Sequence, residues 1–131
     1  MIKAFIKYRS VLAIVISLGF TLNAFGQQPE KKLLRKGNQL YNVSNYVAAN
    51  QKYTEALTVN PNYDKGIFNQ GNAYYYQEQL DSALLNYELA ANLMETSTEK
   101  AAAWHNIGNI HFDNQQYQES IDAYKESLRA N

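Results

Sequence analysis

The sequence repeats itself three times, and this repetition limits the possible folds more than any single motif does. A Gly-Asn pair begins the segments GNQLYN at Gly37, GNAYYY at Gly71 and GNIHFD at Gly108, at spacings of 34 and 37 residues. A period of this length is typical of a solenoid built from repeated helical units. With the Gly-Asn pairs aligned, the first and third segments also share Tyr46 with Tyr117, Tyr53 with Tyr124, Glu55 with Glu126, Leu57 with Leu128 and Asn60 with Asn131.

Each unit contains two apolar stripes at helical spacing, separated by a short polar break. The breaks fall at residues 42–45 in the first unit and 77–79 in the second, and each predicts a pair of helices. Pro61 ends the first pair, because proline disfavours helix in the residue before it. Before the third unit, Thr96 and Glu99 have the spacing of a capping box, in which the two side chains satisfy backbone N–H groups reciprocally.

These residues resemble the tetratricopeptide repeat (TPR), whose pattern combines a Trp or other bulky residue, a glycine, aromatic residues, small residues and a closing proline. The third unit matches with Trp104, Gly108, Tyr117 and Tyr124, and the resemblance extends over residues 30–131. It implies an all-α fold, a right-handed superhelix of antiparallel helix pairs whose first helices line a concave face. The predicted units are residues 30–63, 64–100 and 101–131, and the last lacks a cap.

The glycines of the three units have a predicted packing role. A glycine inside a helix costs about 1 kcal/mol relative to alanine, so its recurrence indicates a steric demand. We expect Gly37, Gly71 and Gly108 to lie where the two helices of a pair approach most closely. The small residues expected to face them are Ala49, Ala83 and Ser120.

Residues 1–26 have the pattern of a secretory signal peptide. Lys3, Lys7 and Arg9 precede an apolar run at residues 11–22, and the small-residue pattern of residues 24–26 follows. The run is shorter than the roughly 20 residues that a membrane-spanning helix needs. We therefore predict a periplasmic domain of residues 27–131. The alternative is an uncleaved leader that anchors this domain to the membrane.

Composition excludes several classes of site. The chain has no cysteine, so disulfides, thiolate metal sites and cysteine nucleophiles are absent. Without Lys3, Lys7 and Arg9, the domain has 9 basic and 12 acidic residues, a net charge of about −3. We identify no basic cluster suited to a phosphate backbone, and predict no nucleic-acid partner.

The two histidines do not form a metal site. His105 and His111 are six residues apart, about 240° around one helix, so they cannot bind the same ion. We expect His111 to pack between helices and His105 to face the concave side. Ser120 has the structural role of a small residue at a helix crossing. We therefore predict no catalytic residue, no metal, no cofactor, no small-molecule substrate and no enzymatic activity.

Helical phase predicts which side chains face the concave groove. The set is rich in amides and aromatic rings, which suit the backbone and side chains of a bound peptide. The simpler alternative is that the amides only solvate a helix face. The predicted partner-binding residues are Leu34, Asn38, Tyr41, Phe68, Asn69, Asn72, Tyr75, Tyr76, His105, Asn106, Asn109 and Phe112.

Chaperone-binding TPR proteins hold a terminal carboxylate with basic residues set among asparagines. Asn38 and Asn69 match that arrangement, but Leu34, Ala102 and Asn106 stand where its basic residues would be. The resemblance therefore implies an internal segment or a folded surface as the partner, rather than a free C-terminus.

The last helix raises a separate question. Asn131 aligns with Asn60, and Ile121, Tyr124 and Leu128 form a stripe that nothing later in the sequence covers. We favour a fragment of a longer protein, and the alternative is a structural subunit that self-associates through this helix.

The sequence as a whole predicts an exported TPR adaptor that binds another envelope protein. The leader ending in AFGQ and the Tyr- and Asn-rich helices look like those of the TPR proteins encoded with the Bat aerotolerance operon, which are thought to assemble with membrane partners.

Overall fold

The computed structural model describes residues 28–131, so the predicted signal peptide at residues 1–26 lies outside the described residues. Within residues 28–131 the chain forms six helices and no strand, which confirms the all-α prediction. The helices are α1 (Pro29–Asn42), α2 (Tyr46–Val59), α3 (Asp64–Tyr76), α4 (Leu80–Leu93), α5 (Ser97–Asp113) and α6 (Tyr117–Ala130).

The helices pack as three consecutive pairs. The most extensive contacts join α1 with α2, α3 with α4, and α5 with α6, and smaller contacts join α2 with α3 and α4 with α5. Each pair therefore rests on its sequence neighbours, as expected for a repeat array. The core continues across the junctions, since Ile67 of α3 clusters with Ala90 and Ala91 of α4 and Ala103 of α5. The right-handed sense of the superhelix stays a prediction.

The helix ends coincide with the predicted breaks. α1 ends at Asn42 and α2 ends at Val59, just before Asn60 and Pro61. The capping box before α5 is half as predicted. The Thr96 hydroxyl accepts the Glu99 backbone N–H at 3.3 Å, but the Glu99 carboxylate accepts the Thr96 hydroxyl at 2.7 Å instead of a backbone N–H.

The turn inside each pair contains one residue in the left-handed region. Ser44, Glu78 and Gln115 each have φ 60°, and each lies seven residues after its unit's glycine. The following N–H then closes the first helix, as the Asn45 N–H does on the Leu40 carbonyl at 3.0 Å. This conformation costs an L-residue about 1–2 kcal/mol. Three different side chains adopt it, so pair packing rather than local preference sets the turn.

The three repeated glycines make room for a tyrosine ring. A Cβ atom on Gly108 would lie 2.5 Å from Cδ1 of Tyr124, and one on Gly71 would lie 2.9 Å from Cε1 of Tyr87. The predicted close approach is therefore confirmed, and the group that demands it is the ring from the second helix. The small residues also lie at the crossing, since Ser120 is buried and its hydroxyl donates to the Gly108 carbonyl at 2.9 Å.

We predict that Gly108→Ala destabilises the protein, although glycine to alanine in an ordinary helix gains about 1 kcal/mol. The added methyl group meets the Tyr124 ring, and overpacking of this kind costs about 1–3 kcal/mol. Urea unfolding followed by circular dichroism measures the change. Gly66→Ala is the matched control, because its Cβ would meet the flexible end of Leu57 at 3.1 Å and would come no closer than 3.3 Å to the Tyr63 ring. A Gly108→Ala protein as stable as the parent would contradict the packing role.

Candidate functional site

The first helices of the three pairs line one concave pocket of about 330 Å³. Its floor is apolar and its rim is polar, and its lining comes from α1, α3 and α5 together with the end of α4. The lining residues are Leu34, Asn38, Lys65, Phe68, Asn69, Met94, Glu99 and Ala102. We call it the groove pocket. Four of the residues predicted from helical phase lie in it, namely Asn38, Phe68, Asn69 and Leu34, which is almost buried at 9% exposure.

A second, more polar pocket of about 240 Å³ adjoins the groove pocket and shares Asn38 and Asn69 with it. Tyr41 and Asn72, two further predicted residues, also line it. The two pockets therefore form one continuous concave surface, which we call the groove. Seven of the twelve predicted residues lie along it or bond to it, Asn106 being the seventh through its contact with Asn72.

Each asparagine of the Gly-Asn pairs accepts a hydrogen bond from the tyrosine of its own pair. The Tyr53 hydroxyl donates to Asn38 Oδ1 at 2.9 Å. The same contact measures 2.7 Å between Tyr87 and Asn72, and 2.8 Å between Tyr124 and Asn109. A buried hydroxyl needs a hydrogen-bond partner. The tyrosine hydroxyls of the core find that partner in asparagine side chains on the groove side.

The same asparagines also join neighbouring units. Asn69 Nδ2 donates to Asn38 Oδ1 at 2.9 Å, and Asn106 Nδ2 approaches Asn72 Oδ1 at 3.4 Å. Each Oδ1 atom of Asn38 and Asn72 therefore accepts from two donors within the protein, which leaves no free acceptor there for a peptide. The Oδ1 atoms are already engaged, while their Nδ2 groups donate to no residue among 28–131.

The rim of the groove pocket carries one ion pair. Lys65 Nζ lies 3.4 Å from Glu99 Oε1. The hydrogen bond from the Thr96 hydroxyl and, to a smaller extent, the contact with Lys65 lower the pKa of Glu99 below its ordinary value. Both side chains are partly exposed, so the pair adds little stability. Because Glu99 pairs with the lysine of the pocket lining, the pocket has no unpaired cation to attract a carboxylate.

Three tyrosines cluster where the first two pairs meet. The Tyr76 ring stacks on Tyr46 with centroids 5.0 Å apart and meets the edge of Tyr41 at 5.8 Å. Beside them, the Tyr75 hydroxyl donates to Asp113 Oδ2 at 2.7 Å. The predicted residues Tyr75 and Tyr76 therefore brace the junctions between units, although Tyr76 remains 57% exposed.

The remaining predicted residues lie on the last pair. His105 is exposed beside the Tyr124 ring, with centroids 5.5 Å apart, and Phe112 is 56% exposed. Asn109 bonds to Tyr124 as described above. His111 is half-buried, and its Nδ1 lies 2.9 Å from Gln116 Oε1, so it joins the two ends of a turn. Whether these side chains bind a partner stays a prediction.

The described residues hold no group of three His, Cys, Asp or Glu side chains that could bind a metal ion. Likewise, no helix in residues 28–131 is long and apolar enough to span a bilayer. The Ser120 hydroxyl donates to the Gly108 carbonyl inside the α5–α6 crossing.

Sequence reasoning missed two features of this surface. The first is the tyrosine–asparagine bond, although a fixed spacing of 15 residues from asparagine to tyrosine recurs in all three units. The second is a basic cluster on α1, where Lys31, Lys32, Arg35 and Lys36 are all exposed. They fall within about 140° of the helix surface and make no salt bridge with a residue among 28–131. The prediction that no cluster suits a phosphate backbone overlooked these four residues, and the absence of a nucleic-acid partner stays a prediction.

Comparison with known proteins identifies the architecture. A family model described as tetratricopeptide repeat matches residues 101–131, and no curated protein matches the sequence. The Sgt2 TPR domain from Aspergillus fumigatus is 28% identical with a TM-score of 0.69, over 77% of this chain and 65% of that one. The chain thus spans slightly less than two thirds of that domain. Residues 101–131 form a tetratricopeptide repeat, and the three helix pairs have the fold of a TPR protein.

Two further solved structures share the fold at lower identity. MamA is 18% identical with a TM-score of 0.72, over 77% of this chain and 57% of that one. The first TPR of Spaghetti (RPAP3), solved bound to the HSP90 peptide SRMEEVD, is 24% identical with a TM-score of 0.72, over 79% and 80% of the two chains. At these identities the likeness shows the fold.

We predict that the protein loses stability as the pH rises from 10 to 12. Burial raises the pKa of Tyr53 to about 12, and the hydrogen bond to Asp113, with burial, raises the pKa of Tyr75 to about 12. An unfolded tyrosine ionises near pH 10. The unfolded state therefore releases protons that the folded state retains, so stability is full below pH 10 and falls above it.

Urea unfolding between pH 8 and pH 11.5, with tyrosinate absorbance recorded in parallel, measures this loss. Tyr75→Phe should reduce the decline because it removes one of the shifted groups. Complete tyrosine ionisation near pH 10 in a protein that stays folded would contradict the prediction.

Proposed function

We propose that this protein is an exported adaptor that binds a segment of another envelope protein in the groove. The observation that carries the proposal is the groove pocket, because three consecutive units contribute its walls. Concave pockets with an apolar floor and a few placed polar groups are the usual sites of recognition. A TPR fold, as in the peptide-bound structure of Spaghetti, supports a protein or peptide partner.

The chemistry of the pocket favours an internal, extended segment over a free C-terminus. Its floor combines Leu34, Phe68 and Met94, which suit one apolar side chain of the partner. The Nδ2 groups of Asn38 and Asn72 can donate to partner backbone carbonyls. A terminal carboxylate would instead need unpaired basic residues, and the only lysine in the pocket is paired with Glu99.

The proposed location follows from the leader pattern of residues 1–26. A protein that passes the membrane and carries a binding groove acts on other envelope proteins. The finer proposal is an assembly factor in a membrane complex of the aerotolerance type. It is supported by the resemblance of the third unit's sequence, residues 101–131, to that of such TPR proteins. An uncleaved leader would hold the same groove at the membrane surface.

Filling the groove pocket tests the binding proposal without removing any packing contact. Ala102 is an exposed residue of α5 that lines the pocket, and Ala102→Trp places an indole inside it. We expect the full chain to capture an envelope protein from native membranes, and Ala102→Trp to reduce capture at least tenfold. Asn92→Trp is the matched control, since Asn92 is exposed on α4 and lines no described pocket. Equal capture by both variants would exclude the groove.

Export has its own test. After expression in the native host, we expect the protein in the periplasmic fraction, with a mass that begins at Gln27. A full-length protein in the membrane fraction would support the anchored alternative. A full-length protein in the cytoplasm would contradict export, and would leave the binding test of the groove unaffected.

A further inference from the structure

Positive charge is concentrated on the first helix of the array. The basic cluster of α1 comprises Lys31, Lys32, Arg35 and Lys36, and the helix has one acidic residue, Glu30. Helix α1 therefore carries a net charge of about +3. Residues 43–131 contain 5 basic and 11 acidic residues, which gives a net charge of about −6. Such a separation of charge indicates that the basic end of the protein meets an anionic partner.

The basic cluster occupies one outward side of α1. Its four residues fall within about 140° of the helix circumference, and the centre of this arc lies roughly opposite Leu34 and Gly37, the buried residues of the helix. No residue of α1 within the arc is acidic, because Glu30 lies about 100° outside it and the other residues inside it are Gln39 and Asn42. All four cations can therefore approach one flat surface together.

The basic cluster also differs from the other basic residues in its lack of acidic partners. Four of the five basic residues among 43–131 form salt bridges, namely Lys52, Lys65, Lys125 and Arg129. The residues of the basic cluster form none with a residue among 28–131, and residues 1–27 contain no Asp or Glu. The charges of the cluster are thus left for a partner outside the chain.

We propose that the basic cluster of α1 binds the anionic phospholipid headgroups of a membrane surface. Each Lys or Arg held near an anionic leaflet strengthens binding roughly fivefold. The attraction needs no pocket, because the surface potential acts on every cation within a Debye length, about 8–10 Å at moderate salt. The cluster extends over about 7.5 Å of helix, so one planar surface reaches all four side chains. Repulsion of the acidic residues in α2–α6 favours the orientation in which α1 faces the membrane.

A lipid surface suits this chain better than nucleic acid does. The leader pattern of residues 1–26 directs the chain to a membrane. Only eight residues separate Leu22, which ends the apolar run of that pattern, from Lys31. The choice of lipid therefore rests on the proposed export, which the fractionation experiment tests separately, and it does not depend on binding in the groove.

Partitioning of the full chain onto vesicles tests the proposal. The measured quantity is the partition coefficient on phosphatidylcholine vesicles that contain about one third phosphatidylglycerol, divided by that on pure phosphatidylcholine. We expect this ratio to fall about tenfold or more in a variant that combines Lys31→Gln, Lys32→Gln, Arg35→Gln and Lys36→Gln. Residues 1–27 are the same in the parent and in this variant, so a difference between them reports on α1.

The matched control removes the same number of charges from other helices. It combines Lys52→Gln, Lys65→Gln, Lys125→Gln and Arg129→Gln, all at exposed or half-exposed positions. Its ratio should stay close to that of the parent, and circular dichroism should show that both variants are folded. Raising the salt from about 0.1 M to about 1 M shortens the Debye length from about 10 Å to about 3 Å, and should abolish the preference of the parent for anionic vesicles.

Orientation on the vesicle gives a second measurement. Because the chain has no cysteine, a fluorophore can be attached to Gln39→Cys, inside the arc of the basic cluster, or to Gln118→Cys on α6. Both positions are exposed. We expect a quencher on the lipid headgroups to quench the first label more strongly than the second, and equal quenching would contradict the proposed orientation.

Three results of the partitioning experiment would overturn the proposal. One is an unchanged ratio in the variant of the basic cluster, and another is an equal loss in the control, because position would then not matter. The third is binding of the parent to duplex DNA or to polyglutamate that is tighter than its binding to anionic vesicles at the same salt. The basic cluster would then serve another anionic macromolecule.

Discussion

The contact between a tyrosine ring and a glycine backbone determines most of this structure. Because Gly37, Gly71 and Gly108 carry no Cβ, the ring from the second helix lies directly on the first helix. Its hydroxyl then reaches the next residue, an asparagine, and fixes that amide on the concave side. In the first two units the fixed amide oxygen also receives an amide from the following unit. Packing within a pair is thus coupled to stacking between pairs, and one substitution at the glycine disturbs both.

This coupling also determines what the groove can offer. Side chains held by hydrogen bonds and ring contacts lose little freedom when a partner arrives, which lowers the entropic cost of binding. The cost of this order is a loss of variety, because the Oδ1 atoms of Asn38 and Asn72 serve the protein itself and only their Nδ2 groups remain for a ligand. The small Ala102 and the Lys65–Glu99 ion pair further limit which partner side chains the groove pocket can hold. The groove pocket itself therefore offers no unpaired cation to an acidic segment.

Much of the fold could be predicted from the sequence because its causes are local. Helix breaks such as Asn60-Pro61 and the apolar period of each helix depend on residues a few positions apart. The role of the asparagines could not be predicted in the same way, since Asn38 bonds to residues 15 and 31 positions away and helical phase alone shows only the direction of the side chain. The left-handed turns escaped notice because Ser44, Glu78 and Gln115 are not the glycine or asparagine that usually mark them.

The exposed side of α6, which carries Leu128, has a consequence for how the array opens. In a linear array, each unit is stabilised by its neighbours, so a unit with one neighbour opens more easily than a unit with two. Within the described residues, α5 and α6 form such a terminal unit, whereas α3 and α4 have a neighbouring pair on each side. A helix seated on α6 would turn this terminal unit into an internal one. Binding of a helix at this end would then slow local unfolding of the units along the chain. The rate of amide exchange would therefore differ between the bound and the free array.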